Sequence, residues 1–120
     1  MTKGVARKGF DLDLKDGLLA ENRLNDTLRG AKIEVKSDKQ AWKTGNIFVE
    51  DSCNGKPSGI STTEAEFWAY EVRLNTFYLI PIDRLRYLVK EAIKYGKRTA
   101  GGDFNRSSGV LIPLDWVAKH

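Results

Sequence analysis

The alternation of hydrophobic and polar positions along the chain predicts strands and helices in turn. Residues 31–38 alternate strictly, because Ile33 and Val35 fall on one face of a strand and charged residues fall on the other. Residues 76–82 are almost continuously apolar, as in a central strand that is covered on both faces. From Asp83 to Gly96, apolar residues recur at spacings of three and four, which is the period of an amphipathic helix.

Helix-capping residues predict two further helices. Asp16 and Gly30 suit the start and the end of a first helix. Ser61 and Glu64 form a capping box that begins a second helix, which is expected to run to about Val72. The remaining segments are predicted as an extended entry at 10–14, strands at 46–50 and 110–116, and a basic glycine-rich loop at 97–109.

These elements together predict an α/β fold with a central mixed β-sheet flanked by helices. A short polar segment joins the strands at 31–38 and 46–50, so an antiparallel hairpin is their simplest pairing. The chain has 120 residues, which suits one domain. We expect a flexible basic arm at residues 1–9 and a single domain at residues 10–120.

Composition narrows the chemistry. The only cysteine, Cys53, excludes a disulfide framework and an all-cysteine zinc site, and the only histidine, His120, ends the chain. No apolar run approaches the ~20 residues that cross a bilayer, so we expect an intracellular, cytoplasmic protein. A formal charge of +4 permits binding to nucleic acid without requiring it.

One carboxylate falls on the apolar stripe of the first predicted helix. At 100° per residue, Glu21 lies within about 60° of Leu18, Leu24 and Leu28. A buried carboxylate at that position needs a cationic partner, a metal ion or a bound proton. A structural ion pair and a metal ligand are both open interpretations.

A second group of charges lies on the strand at 31–38. Glu34, Lys36 and Asp38 share one face, and the neighbouring strand ends in Glu50. Several carboxylates around one lysine require a cation to remain ionised together, and all-oxygen ligation favours Mg2+, with Mn2+ as a substitute, over zinc. The alternative is a solvated, salt-bridged sheet face. A metal site of this kind suits phosphodiester hydrolysis, in which Lys36 would orient the attacking water or stabilise the phosphate.

Four segments carry a resemblance to a known group of enzymes: EVKSD, KTGNIFVE, KPSGISTTEAEFWAY and GGDFNRSSGVLIPL. They resemble the PD-(D/E)XK nuclease superfamily, and within it small phage-encoded, free-standing homing-type endonucleases, over residues 10–116. The resemblance implies a restriction-endonuclease-like α-β-β-β-α-β core, dependence on Mg2+ and cleavage of DNA. For a phage-encoded protein the compartment would be the cytoplasm of the host cell.

The superfamily motif fits in two registers. In the first, Glu34 and Lys36 are the Glu-x-Lys pair, and the Asp comes from Asp11, Asp13 or Asp26. In the second, which we favour, Asp38 is the Asp and Glu50 the Glu, while Lys36 supplies the ammonium from the neighbouring strand. The expected catalytic residues are therefore Lys36, Glu34, Asp38 and Glu50, and the expected metal ligands are Glu21, Asp38, Glu50 and Glu34.

Basic, aromatic and hydroxyl residues predict contacts with nucleic acid. The hairpin connection supplies cations and an aromatic ring, the second predicted helix supplies hydroxyls at its N-terminus, and the glycine-rich loop supplies further cations. The candidates are Lys39, Trp42, Lys43, Ser58, Thr62, Thr63, Lys97, Arg98, Asn105 and Arg106. The hydroxyls could equally be helix caps, and the loop could be a solvated surface.

The leading hypothesis from the sequence is a Mg2+-dependent DNA endonuclease that acts as a homodimer or a higher homo-oligomer, because duplex cleavage needs a site for each strand. Two other classes remain open. One is a non-catalytic nucleic-acid-binding module of phage origin, and the other is a structural or assembly protein.

Overall fold

The computed structural model describes residues 8–38, 40–101 and 106–120, with side chains described from residue 14 onward. The chain divides into two compact units, residues 1–31 and residues 32–120. Most of the predicted arm at residues 1–9 lies outside the described residues, as do Lys39 and Asn105.

The described residues of the first unit form one helix, α1 (Lys8–Gly30). The extended entry predicted at residues 10–14 is wrong, because these residues belong to α1, and Asp16 lies inside the helix rather than at its cap. An alternating run of five residues cannot distinguish the two periods, since its first and last positions are also neighbours on a helix. The predicted end at Gly30 is confirmed, and Ala31 donates its N–H to the carbonyl of Thr27.

The second unit contains two β-sheets and three helices among its described residues. In chain order the elements are β1 (Ile33–Ser37), α2 (Ala41–Thr44), β2 (Asn46–Cys53), β3 (Lys56–Pro57), a short 3-10 helix (Gly59–Ser61), β4 (Phe67–Arg73), β5 (Thr76–Pro81), α3 (Ile82–Lys94), β6 (Arg98–Gly101), β7 (Ser107–Pro113) and α4 (Leu114–Lys119). One sheet is mixed, with the order β1-β4-β5, and the other is antiparallel, with the order β3-β2-β7-β6. The general α/β prediction is therefore confirmed.

The predicted hairpin between the strands at 31–38 and 46–50 is wrong. β1 pairs in parallel with β4, and β2 pairs antiparallel with β7. The pairing of β2 with β7 sets Ile47 opposite Ile112 and Val49 opposite Val110, all four of which are fully buried. Burial of these side chains favours a long-range pairing over the local hairpin.

The second predicted helix, from Ser61 to Val72, is also wrong. Only Gly59–Ser61 form a helical turn, and Phe67–Arg73 form β4. The residues of β4 are aromatic or β-branched at alternate positions, and Trp68, Tyr70 and Val72 point to the same buried face. That period of two overrides the capping signal upstream.

The core of the second unit lies between these strands and α3. The helix predicted after Asp83 is confirmed, and it buries Leu85, Leu88 and Ala92 against β5 and β7. The predicted strand at 76–82 is confirmed as β5, and the strand at 46–50 is confirmed but runs on to Cys53.

The C-terminal part of the chain differs from the prediction at two points. Residues 98–101 of the predicted loop form β6, which pairs with β7. The final strand ends at Pro113, after which Trp116 lies in α4, half-buried against the core. Among the described residues, no helix is long and apolar enough to cross a bilayer.

Candidate active-site cleft

The charged face of β1 points toward the interior of the second unit. Parallel pairing sets Glu34 beside Trp68 and Lys36 beside Tyr70, whose side chains are only 1% and 2% exposed. Val35, on the opposite face, is 63% exposed. A solvated sheet face, the alternative left open by the sequence, would show the reverse pattern. The charges of β1 therefore lie on the side of the strand that faces the core, where the Glu34 and Lys36 side chains each remain 37% exposed.

Both sheets contribute residues to a cleft of about 540 Å³. Lys36 and Asp38 come from β1 and the residue after it, and Glu50 comes from β2. Trp68 and Tyr70 of β4 line the same cleft, and β6 and β7 complete its lining. Three of the four predicted catalytic residues therefore share one cleft.

The fourth, Glu34, forms an ion pair with Lys36. Its Oε2 lies 2.6 Å from Lys36 Nζ, and its Oε1 accepts a hydrogen bond of 2.9 Å from Thr63 Oγ1. Burial raises the pKa of Glu34, but the hydrogen bonds from Lys36 and Thr63 outweigh burial and hold that pKa below its ordinary value. Glu34 is thus an anion at neutral pH, and it fixes the position of Lys36.

The indole of Trp68 also contacts this ion pair. Lys36 Nζ lies 4.8 Å from the centroid of the Trp68 ring, and Trp68 Nε1 donates to Thr63 Oγ1 at 3.1 Å. Thr63 was predicted to bind a phosphate at a helix N-terminus, but no helix starts there and its hydroxyl serves Glu34 instead.

Asp38 and Tyr70 both bind the backbone of one residue of β2. Asp38 Oδ2 accepts the N–H of Phe48 at 3.0 Å, and the Tyr70 hydroxyl donates to the carbonyl of Phe48 at 2.9 Å. Burial raises the pKa of Tyr70 far above its ordinary value, and the negative charges of Asp38, Glu34 and Glu50 raise it further. Tyr70 is therefore a neutral hydrogen-bond donor.

Glu50 has a hydroxyl partner on each of its carboxylate oxygens. Ser58 Oγ donates to Oε2 and Ser107 Oγ donates to Oε1, both at 2.7 Å. Ser58 was predicted to bind nucleic acid, but it holds Glu50 instead. Ser107, which is buried, did not stand out in the sequence.

Two glycines allow close packing around the backbone of Glu50. A side chain at Gly59, which has a φ of +55°, would collide with the Glu50 carbonyl oxygen. Gly109 pairs with Glu50 in the β2–β7 ladder, and a side chain there would collide with the carbonyl of Val49. The main chain that carries Glu50 is thus held as closely as its side chain.

The chemistry of these donors fits a hard divalent cation. No group of three or more histidine, cysteine or acidic residues that could hold a metal ion exists among residues 14–38, 40–101 and 106–120. Mg2+ is nevertheless commonly held by one or two carboxylates, with water and substrate oxygens completing its shell. Asp38 and Glu50 supply two such carboxylates to one cleft, whereas Glu34 does not line that cleft and is paired with the ammonium of Lys36. Glu21 belongs to the first unit, and its role as a ligand stays a prediction.

The other residues predicted to contact nucleic acid lie at several places on the second unit. Lys43 and Trp42 are exposed on α2, and Thr62 is exposed after the 3-10 helix. Arg98 forms an ion pair of 2.8 Å with Asp51, and Lys97 Nζ lies 5.7 Å from the centroid of the Trp116 ring. Arg106 is exposed beside β7.

The sequence pattern did not single out Tyr70 or Arg73 as site residues. Tyr70 is indeed buried, but it also lines the cleft. Arg73, at the end of β4, lies against Trp42, a contact that depends on the β1–β4 pairing and leaves no local signal in the sequence.

Comparison of the chain with models of protein families, with curated proteins and with solved structures gives no match.

Proposed function

We propose that the protein is a Mg2+-dependent endonuclease that hydrolyses phosphodiester bonds of DNA at the cleft of the second unit. The observation that carries the proposal is the placement of Lys36, Asp38 and Glu50 on one cleft. Two carboxylates and an ammonium that line one cleft are groups that suit metal-assisted phosphodiester hydrolysis.

Each residue has a distinct role in the proposed reaction. Asp38 and Glu50 would hold the cation, which supplies positive charge opposite the phosphate and acidifies water. Lys36, fixed by Glu34, would donate a hydrogen bond to a phosphate oxygen. A volume of about 540 Å³ falls in the range of small-molecule sites, so the cleft suits one nucleotide of a strand and not an enclosed duplex.

The geometry favours the second register of the PD-(D/E)XK motif. In that register Asp38 and Glu50 are the acidic pair and Lys36 supplies the ammonium, and these are the residues that line the cleft. Glu34, which the first register uses as a ligand, does not line the cleft and is ion-paired with Lys36. A restriction-endonuclease-like core and assembly as a homodimer or higher homo-oligomer remain parts of the proposal.

The proposal is tested by incubating supercoiled plasmid with the purified protein in Mg2+ or in EDTA. We expect nicked or linear product in the Mg2+ reaction and none in the EDTA reaction. Cleavage should be abolished by each of three substitutions, Lys36→Ala, Asp38→Asn and Glu50→Gln. The first removes the ammonium, and the other two remove anionic ligands while keeping side-chain size. Lys56→Ala is the matched control, since it removes an exposed lysine that does not line the cleft.

Two results would contradict the proposal. Cleavage that persists in EDTA would exclude the role given to Mg2+, and cleavage by Lys36→Ala equal to that by Lys56→Ala would exclude the role given to Lys36. If the wild-type protein binds DNA but leaves it intact in both Mg2+ and Mn2+, the non-catalytic binding module is the better description. The exposed cluster of Trp42, Lys43 and Arg73 is the observation that favours this second candidate.

A further inference from the structure

A tryptophan beside the cleft is exposed and has two cations next to its ring. Trp42, on α2, is 49% exposed. Arg73 Cζ lies 4.6 Å from the centroid of its ring, and Lys43 Nζ lies 5.4 Å from it. Both distances are within the ~6 Å at which a cation is attracted to an aromatic face. We call these three residues the Trp42 platform.

The fold places the Trp42 platform next to Asp38. The N–H of Ala41, which starts α2, donates to the carbonyl of Asp38 at 3.0 Å. The N–H of Asp38 in turn donates to the carbonyl of Glu71, two residues before Arg73 on β4. Trp42 and Arg73 are therefore anchored to the two strands that carry Lys36, Asp38 and Tyr70.

Packing within the second unit does not explain this arrangement. The core is formed by buried residues of the strands and α3, and Trp42 is not among them, whereas Trp68 is. Arg73 and Lys43 are exposed as well, so each could keep its full hydration without an aromatic partner. An exposed indole that carries two cations is instead suited to a planar, anionic ligand.

We propose that the Trp42 platform stacks on an unpaired base, so that the DNA bound at the cleft carries a single-stranded segment. Every nucleobase has a flat face that can stack on the indole or on the guanidinium of Arg73, and Lys43 can contact the adjacent phosphate. A base inside an intact duplex already stacks on its neighbours and offers only its edges. An acidic peptide would match the cations but provides no planar group for the ring.

This inference deepens the proposed function and depends on it only for the claim that the bound strand is also cleaved. Binding is therefore measured in EDTA, by fluorescence anisotropy of a labelled oligothymidylate and of a labelled duplex of equal length. We expect the wild-type protein to prefer the single strand. Trp42→Ala should weaken single-strand binding by about tenfold and duplex binding much less, because stacking on a base is lost.

Conservative variants separate stacking from charge and from folding. Trp42→Phe should retain much of the single-strand affinity that Trp42→Ala loses, because it keeps an aromatic ring. Arg73→Lys should retain less of that affinity, because it keeps the charge and loses the planar group. The controls are Lys90→Ala, which removes an exposed lysine of α3, and Tyr87→Ala, which removes an exposed aromatic ring of α3. Both should bind the single strand nearly as the wild type does.

Two outcomes would overturn the inference. In one, Trp42→Ala weakens single-strand and duplex binding equally or not at all. In the other, a polyglutamate peptide competes with the oligothymidylate at equal charge concentration, which would indicate a site for acidic protein. A Trp42-dependent preference for single strands in a protein that cleaves nothing would support the platform and contradict the nuclease. Lys36-dependent cleavage by a protein that does not prefer single strands would support the nuclease and contradict the platform.

Discussion

The hydroxyl of Ser107 should contribute to stability through Glu50. Ser107 is buried and donates a 2.7 Å hydrogen bond to Glu50 Oε1, so Ser107→Ala removes a bond to a charged acceptor at little change in volume. Hydrogen bonds to charged groups contribute about 1.5–3 kcal/mol. Glu50 is only half-buried and water can partly replace the hydroxyl, so we expect a loss of about 1–2 kcal/mol in the free energy of unfolding.

Urea denaturation followed by tryptophan fluorescence measures this loss, because Trp68 is buried in the same unit. In thermal unfolding the same change should lower Tm by roughly 4–16 °C, since 1 kcal/mol corresponds to about 4–8 °C in a domain of 60–100 residues. Ser61→Ala is the matched control. Its hydroxyl is exposed and donates to the carbonyl of Asp51, so its loss should cost no more than about 0.5 kcal/mol.

A double-mutant cycle assigns the effect to the pair. If Ser107 acts through Glu50, the cost of Ser107→Ala should fall by about 1 kcal/mol when Glu50 is already alanine. An unchanged cost in the Glu50→Ala background would refute the reasoning, because it would show that Ser107 stabilises the fold by packing alone. Equal stability of Ser107→Ala and the wild type would refute it as well.

Two further substitutions test the surroundings of the cleft. Burial raises the pKa of Glu34, but Lys36, Thr63 and Trp68 together hold that pKa below the 4.5 expected when unfolded. Part of the stability present above pH 4.5 should therefore be lost as the pH falls through the lower folded value. In urea melts, Glu34→Gln should remove that part of the pH dependence, and Glu64→Gln, at an exposed position, should not. Identical pH profiles for the wild type and both variants would contradict the assignment of this pH dependence to Glu34. Gly109→Ala should unfold the second unit or destabilise it by at least about 3 kcal/mol, because the added methyl group collides with backbone. Gly96→Ala is the control: it has open space around it and a φ of +71°, so it should cost only about 1–2 kcal/mol. Similar melts for the two variants would show that β2 and β7 can separate freely at Gly109.

The elements with a clear period and local end signals are the ones that the sequence predicts correctly. The stripe of α3 and the apolar run of β5 are examples, because burial of one face decides the structure of each. The second predicted helix fails because a capping box is a local signal of modest energy, whereas Trp68, Tyr70 and Val72 gain more from burial on one face of a strand.

The pairing of the strands is the other part of the structure that the sequence does not predict. The parallel pairing of β1 with β4 joins residues more than 30 positions apart in the chain, and it decides that the charged face of β1 points inward. The acidic and basic residues of the cleft could be selected from their alternation and spacing, but their partners could not. Ser107 reaches Glu50 from β7, and Arg73 reaches Trp42 from β4, and neither serine nor arginine is unusual in its local sequence.

The central claim is that Asp38 and Glu50 hold the same divalent cation. Calorimetric titration with Mn2+ in the absence of DNA tests it directly. We expect Asp38→Asn and Glu50→Gln each to weaken the same binding event by at least about tenfold, since loss of even an outer-sphere partner typically costs 10–100-fold, while the exposed Asp83→Asn leaves it unchanged. The claim would be contradicted if both cleft variants bind Mn2+ as the wild type does. It would also be contradicted if the wild type shows two separate binding events and each variant loses one of them.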